Sequence, residues 1–354
     1  MTTALENRYK AAVIGLGNIG YLFSRDSKRA GTWSHSHAYH GCGRTILAAG
    51  VDPDPIKRKL FAEEFPNAQL FGSIDELFSA FVPDIVSICT PTAMHYPIFK
   101  ELLSQPVRGI ICEKPFAENL DQARQMVHLA RQRDVVVAVN HLRRWNDNYR
   151  LAADIVKQGG IGRLTALHAF YPGQLYNIGT HVFDTLLMMA ARRPLSATGI
   201  QVESFDPKDP SVTGMLTLED GLTCTFAATG RRLNLVFEID VVGDEGRIRV
   251  IHNGNSIELY KFGDSPNYSG YRELIPEPLA APGPGDLLLN TVRDMTQVLD
   301  GLSEKTACSA EDGYWTMAVI DALLDSMRAG GAPCPVIGLD SQNNKTNHRT
   351  DANE

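Results

Sequence analysis

Residues 10–20 read KAAVIGLGNIG, a short apolar run that leads straight into glycines at positions 15, 17 and 20. A strand followed at once by GxGxxG is the phosphate turn of a dinucleotide-binding βαβ unit. Gly15 permits the tight turn. Gly17 lets the backbone approach a pyrophosphate, and Gly20 lets a following helix pack closely on the sheet. Asn18 and Ile19 complete the turn, and the helix behind it is expected to face the phosphates with its unpaired N–H groups. A second apolar strand, residues 45–51, ends at Asp52. A carboxylate there accepts from the adenosine ribose hydroxyls and repels a 2′-phosphate, which favours NAD. Lys57 and Arg58, one helical turn further on, weaken that preference and keep NADP open.

The spacing is unusual. Asp52 lies 32 residues after Gly20, where an acidic residue ordinarily follows at about 20. About ten residues are therefore extra, and residues 22–34 (LFSRDSKRAGTWS) are expected to form a surface segment that shapes the cleft mouth, with Trp33 as its aromatic. Histidines follow at 35, 37 and 40, but no carboxylate or cysteine is grouped with them, so no metal site is read there.

Strands and helices alternate through the first 143 residues. Residues 56–65, 96–103 and 119–131 have helical spacing, the last capped by Asn119 with Gln122 at the third helical position. Residues 84–89, 109–112 and 135–139 read as buried strands. Such alternation implies a parallel sheet covered on both faces, a doubly wound Rossmann domain over residues 1–143. The pattern changes after that. One helix, residues 146–158, is followed by strands at 164–171, 198–205, 213–218, 223–228, 235–242, 246–251 and 256–262 with turns rather than helices between them. Residues 144–340 are thus expected to be an α/β domain with a large, mostly antiparallel open sheet, ending in helices at 287–299 and 311–327. The polar residues 341–354 read as a disordered tail.

The net charge of −7 argues against a nucleic-acid partner. No apolar run reaches the ~18 residues that would span a membrane, and the N-terminus carries no apolar signal region. Six cysteines are scattered without a CxxC pair, as expected of reduced thiols in a cytoplasm.

Residues 109–116, GIICEKPF, run an apolar strand into Glu113, Lys114 and Pro115. In a doubly wound fold ligands sit at the carboxyl ends of the strands, so charges there face the cleft. The ordered set of GLGNIG, Asp52, Thr90-Pro91 with His95 behind it, Glu113-Lys114-Pro115, Arg143-Arg144 and GTHVFD at residues 179–184 resembles the Gfo/Idh/MocA oxidoreductase family. The resemblance implies a Rossmann domain followed by an open-sheet domain that commonly mediates self-association, here as a homodimer or homotetramer. It implies that Lys114 hydrogen-bonds the reacting hydroxyl or carbonyl. Glu113 positions the lysine and the cofactor side, and Pro115 fixes the turn through a candidate cis bond. Thr90, Pro91 and His95 lie on the cofactor side. His181 becomes the catalytic histidine of a helix entering the cleft. Asn140, His141 and Arg143 fall near substrate, and Tyr171, Gln174 and Tyr176 line a sugar pocket. One of Arg143 and Arg144 is expected to be structural. Many relatives carry aspartate four residues before this histidine; here the position is Asn177, expected on the same helix face as His181.

The expected function is an NAD(H)-dependent oxidoreductase acting on a ring carbon of a sugar, cyclitol or nucleotide-linked sugar. The alternatives are an NADP(H)-dependent reductase of another carbonyl or imine, and a cofactor-binding regulator without turnover.

Overall fold

The computed structural model describes residues 8–29, 31–203, 206–230 and 233–341. Six parallel strands form the first sheet: β1 (Tyr9–Ile14), β2 (Thr45–Val51), β3 (Gln69–Phe71), β4 (Ile85–Ile88), β5 (Gly109–Cys112) and β6 (Val136–Val139), in the order β3-β2-β1-β4-β5-β6. The order reverses at β1, so β1 and β4 flank the switch point where such folds open a crevice. The connecting helices are α1 (His35–Gly41), α2 (Pro55–Glu64), α3 (Ile74–Ala80), α4 (His95–Leu102) and α5 (Leu120–Arg133). Asn119 caps α5 by accepting from the Gln122 amide. Strand β3 and helix α3 are too short for their periodicity to register in the sequence.

Nine strands form the second sheet: β7 (Leu164–Tyr171), β8 (Pro194–Val202), β9 (Ser211–Leu218), β10 (Thr223–Ala228), β11 (Glu238–Gly243), β12 (Gly246–Ile251), β13 (Ser256–Asp264), β14 (Arg272–Glu277) and β15 (Cys334–Pro335). Every pairing is antiparallel except β7 with β10. Two expected strands shift. The one expected over 198–205 begins at Pro194, and its last two residues lie outside the described residues. The one expected over 235–242 begins at Glu238, leaving Leu235 exposed. The helices α6 (Asp147–Lys157), α7 (Thr180–Ala190) and α9 (Ala310–Arg328) pack on this sheet. Helix α8 (Leu287–Leu299) instead covers β5 and β6 of the first sheet, so closely that a side chain at Gly109 would meet Met295 Sδ at 2.7 Å.

The helix expected directly behind the glycine turn is cut. One turn forms, with Tyr21 N–H donating to Gly17 O at 2.9 Å. The chain then leaves through a 3-10 turn at Leu22–Arg25 and returns as α1. The amides of His35 and Ser36 donate to the carbonyls of Ile19 and Gly20 at 3.0 and 3.1 Å. These bonds continue the ladder of the first turn. They join residues sixteen apart where a helix joins residues four apart, so twelve residues are spliced in. The same twelve separate the Gly20–Asp52 spacing of 32 from the usual ~20.

The glycines differ in what they tolerate. Gly15 has φ +94°, and a Cβ on Gly20 would stand 2.0 Å from Gly15 O, whereas a Cβ on Gly17 meets nothing within 4 Å. Gly20→Ala is therefore expected to lower stability by about 2 kcal/mol or more, as backbone-clashing substitutions do, and Gly17→Ala by under ~0.5 kcal/mol. Urea unfolding of both variants checks the contrast; equal losses contradict it.

Candidate active site

One cleft of about 1030 Å³ runs along the carboxyl edge of the first sheet and under α7. That is at the upper end of small-molecule sites, with room for a dinucleotide beside a small substrate. Gly15, Gly17, Asn18, Ile19, Asp52, Thr90, Pro91, Glu113, Lys114, Asn140, Arg143, Asn177 and His181 all line it. Gly20, His95, His141, Tyr171, Gln174 and Tyr176 do not. Gly20 packs under the turn. His95 is buried and joins two turns, its ring nitrogens 3.0 Å from Thr90 O and 2.9 Å from Pro115 O. It thus holds the Thr90-Pro91 turn against the turn at Pro115, and the Lys114–Pro115 bond is cis. Tyr171 is turned into the core, its hydroxyl donating to Val212 O at 2.6 Å.

At one end Asp52 is fixed by backbone. Its Oδ2 accepts from Leu16 N–H and its Oδ1 from Asp54 N–H, both at 2.9 Å, and Lys57 Nζ stands 3.4 Å away. Each carboxylate oxygen keeps acceptor capacity beyond these bonds. Arg58 is turned away onto the carbonyls of Asp52 and Pro53. The inserted segment walls this side: Phe23, Arg29 and Trp33 line the cleft, with the Arg29 guanidinium stacked 4.1 Å over Phe23 and 5.2 Å over Trp33. Thr32 Oγ1 ties the segment to Asp286 Oδ2, at the cap of α8, at 2.7 Å.

At the other end, Glu113 and Lys114 do not form the ion pair their adjacency suggests. Glu113 accepts at Oε1 from His35 Nε2, 3.0 Å away, and from the Asn140 amide. Burial acts to raise its pKa. The hydrogen bond and charge of His35, the Asn140 amide and nearby Lys114 outweigh burial, so the carboxyl sits below its ordinary value. Lys114 Nζ donates to Asn177 O at 2.8 Å and to Asn177 Oδ1 at 3.2 Å.

Asn177 sits in a π-helical turn, Leu175–Gly179, just before α7. Its side chain serves Lys114 and Gln174, not His181. Asn177 and His181 nevertheless both line the cleft. The Asp209 carboxylate fixes this turn by accepting from the amides of Tyr176 and Asn177 at 2.7 and 3.1 Å.

His181 is buried, and its Nδ1 has no hydrogen-bond partner among the described residues. His141 meets it edge-on at 5.7 Å between ring centres. Burial pushes the His181 pKa well down, and Arg143, Lys114 and His141 push it further. The two arginines have different surroundings. Arg144 is buried against Asp184 at 2.9 Å and Asp312 at 3.1 Å. Arg143 lies 3.5 Å over the Phe237 ring and donates to Asn253 Oδ1 at 2.8 Å. Its Nε is buried without a hydrogen-bond partner, and no carboxylate pairs with it among the described residues.

Sequence reading missed the part played by His35 and by the insert residues Phe23 and Arg29. The 32-residue spacing was the one signal of the insert, and nothing local marks His35. Among the described residues no group of three or more histidine, cysteine or carboxylate side chains is placed to hold a metal, and no helix is long and apolar enough to cross a membrane.

The glycine turn, the ribose-side carboxylate and the cleft at the strand ends define a dinucleotide-dependent oxidoreductase. Residues 9–141 match the model of the Gfo/Idh/MocA oxidoreductase family with its NAD-binding Rossmann fold, and this domain belongs to that family. The chain is 28% identical to a D-apiose dehydrogenase of Paraburkholderia graminis over 272 residues, 70% of this chain and 69% of that protein. It is 27% identical to an inositol 2-dehydrogenase of Corynebacterium glutamicum over 178 residues, 47% of this chain and only 51% of that protein. Among solved structures, an oxidoreductase from Agrobacterium radiobacter in complex with NAD+, L-tartaric acid and magnesium superposes with a TM-score of 0.74 at 22% identity, covering 93% of this chain and 98% of that one.

The depressed histidines have a measurable consequence. His141 and His181 are both held below the ordinary histidine value, chiefly by burial. The unfolded chain takes up these protons below about pH 6.5 while the folded chain does not. Stability therefore falls as pH drops through that value, by up to about 1.4 kcal/mol per histidine per pH unit. His181→Gln is expected to lose less stability than the parent between pH 7 and pH 5.5, read from urea midpoints; parallel losses contradict the assignment.

Proposed function

We propose that this protein is a dehydrogenase that moves a hydride between NAD(H) and a ring carbon of a sugar or cyclitol. The observation that carries this reading is the meeting of Lys114 and His181 in the one cleft that also holds the glycine turn and Asp52. The residues fit the dinucleotide: Gly17 leaves open space at the turn, and Asp52 is held in place with acceptor capacity to spare. A bound nicotinamide dinucleotide supplies the hydride acceptor or donor. The rest is the work of this chain. His181, neutral at pH 7, accepts the substrate hydroxyl proton, and the Lys114 ammonium stabilises the oxyanion that develops. Asn177 sets the Lys114 position by accepting from its ammonium at O and Oδ1. Asn140 orders Glu113, and Arg143 offers its guanidinium to a substrate hydroxyl, carboxylate or phosphate. The sugar and cyclitol dehydrogenases among the relatives support this substrate class.

NAD is the preferred form because the Asp52 carboxylate opposes a 2′-phosphate. Lys57, 3.4 Å from it, is a cation that favours NADP. Self-association through the second sheet belongs to the same reading. Phe170, Ile200 and Met215 are exposed, and register places them on one face of adjoining strands, since Met215 pairs Thr198 and Thr225, and Thr225 pairs His168. Light scattering distinguishes dimer or tetramer from monomer.

Asp52→Ala is expected to narrow the gap between NAD and NADP affinity. Parent protein binding NADP tenfold more tightly than NAD, a difference of about 1.4 kcal/mol, contradicts the role given to Asp52. Lys114→Met is expected to reduce turnover by two or more orders of magnitude, as loss of one preorganised donor does, with dinucleotide binding largely kept. The assay follows reduced-cofactor absorbance over a panel of sugars and cyclitols; near-parental turnover on the same substrate removes Lys114 from the mechanism.

A further inference from the structure

His35 opens α1, where the chain returns from the inserted segment, and its side chain is fully buried. Its Nδ1 lies 2.9 Å from Ser87 Oγ on β4, and its Nε2 lies 3.0 Å from Glu113 Oε1 at the end of β5. The Tyr39 hydroxyl, one turn along α1, lies 2.7 Å from the same Ser87 Oγ. Asn140 Nδ2 approaches both His35 Nε2 and Glu113 Oε1.

An ionised carboxylate only accepts, so His35 donates from Nε2 to Glu113. Its Nδ1 is held by Ser87 Oγ, and the Tyr39 hydroxyl holds the same oxygen. Burial keeps the Tyr39 phenol protonated. One continuous chain therefore links Tyr39, Ser87, His35 and Glu113. His35, Ser87 and Tyr39 are wholly buried, where hydrogen bonds act at low dielectric and reinforce one another.

The strand order says what this chain of bonds does. Asp52 ends β2 on one side of the glycine turn, and Glu113 ends β5 two strands away on the other side. A dinucleotide with its adenosine ribose at Asp52 and its pyrophosphate at the turn has its nicotinamide end over β4 and β5. The oxidised nicotinamide ring is cationic and the reduced ring is neutral. A carboxylate held in one orientation there favours the oxidised form, and one that swings or takes up a proton does so less.

We propose that His35 is a positioning residue: with Ser87 and Tyr39 behind it, it holds the Glu113 carboxylate toward the nicotinamide end and so raises affinity for the oxidised dinucleotide relative to the reduced one. The inference rests on the dinucleotide reading above. It gives the inserted segment a second consequence, because the chain re-enters the fold at the residue that orients Glu113.

The test is calorimetric titration of the purified full-length protein with NAD+ and with NADH, without substrate. The parent is compared with His35→Leu, His35→Gln and Tyr39→Phe. His35→Leu is expected to lower the ratio of oxidised to reduced affinity at least fivefold. His35→Gln, which keeps an N–H for Glu113, recovers a large part of that loss. Tyr39→Phe, at the far end of the chain, shifts the ratio about twofold in the same direction. A folded His35→Leu protein with an unchanged ratio, or with both affinities reduced equally, overturns the proposal. If His35→Leu does not fold, Tyr39→Phe decides, and an unchanged ratio in it overturns the proposal. A parent protein that binds neither form of NAD or NADP overturns the functional reading itself, and the proposal with it.

Discussion

The site depends on a buried arginine. Arg144 comes from the short 3-10 turn that follows β6, and its guanidinium grips Asp184 of α7 through Nε and Nη2, Asp312 at the start of α9, and the carbonyl of Ala307. Burial alone disfavours its charge, but the two carboxylates outweigh burial and hold it firmly protonated. Pairs of this kind contribute little net stability, because both ions lose their water, yet breaking one leaves a stranded charge at a cost of about 3–5 kcal/mol. Their value is geometric. The clamp fixes α7 and α9 against the edge of the first sheet, and α7 carries His181. Trp145 adds to it by donating to Asp294 of α8 at 3.0 Å. The cleft therefore lies between elements that cannot slide independently, and the distance between Lys114 and the α7 turn is a property of the clamp.

The adjoining charges of the EKP segment separate where the chain bends after β5. Glu113 turns inward to His35 and Asn140, and Lys114 turns across the cleft to Asn177. The result is an anion held on one side and a cation held on the other. Asparagine at position 177 fits this division: its side-chain and backbone oxygens hold the ammonium and bring no charge of their own.

The spliced segment shows how a fold absorbs new chain. Loop closure entropy rises slowly with length, so twelve residues inserted after one helical turn cost little if the helix can resume its ladder, and it does. What remains is the ordering of the insert. The stacking of Arg29 on Phe23 and Trp33 and the Thr32–Asp286 bond contribute to that.

Much of this protein was written locally. The phosphate turn, the ribose-side carboxylate, the helix cap at Asn119 and the strand alternation each depend on residues within a few positions of one another, so their chemistry is visible in sequence order. The 32-residue spacing even counted the insert. Partners were another matter. His35 meets Glu113 across 78 residues, Lys114 meets Asn177 across 63, and Arg144 meets Asp312 across 168. No local pattern marks such pairs, because a buried histidine or asparagine has the same neighbours in sequence whether it holds a carboxylate, a lysine or nothing. His95 left the cleft because backbone carbonyls hold its ring elsewhere. The sequence by itself determined which chemistry was present and at which strand ends it stood; the tertiary structure alone decided which group faces which, because those contacts form only when the sheet order and the Arg144 clamp have brought distant segments together.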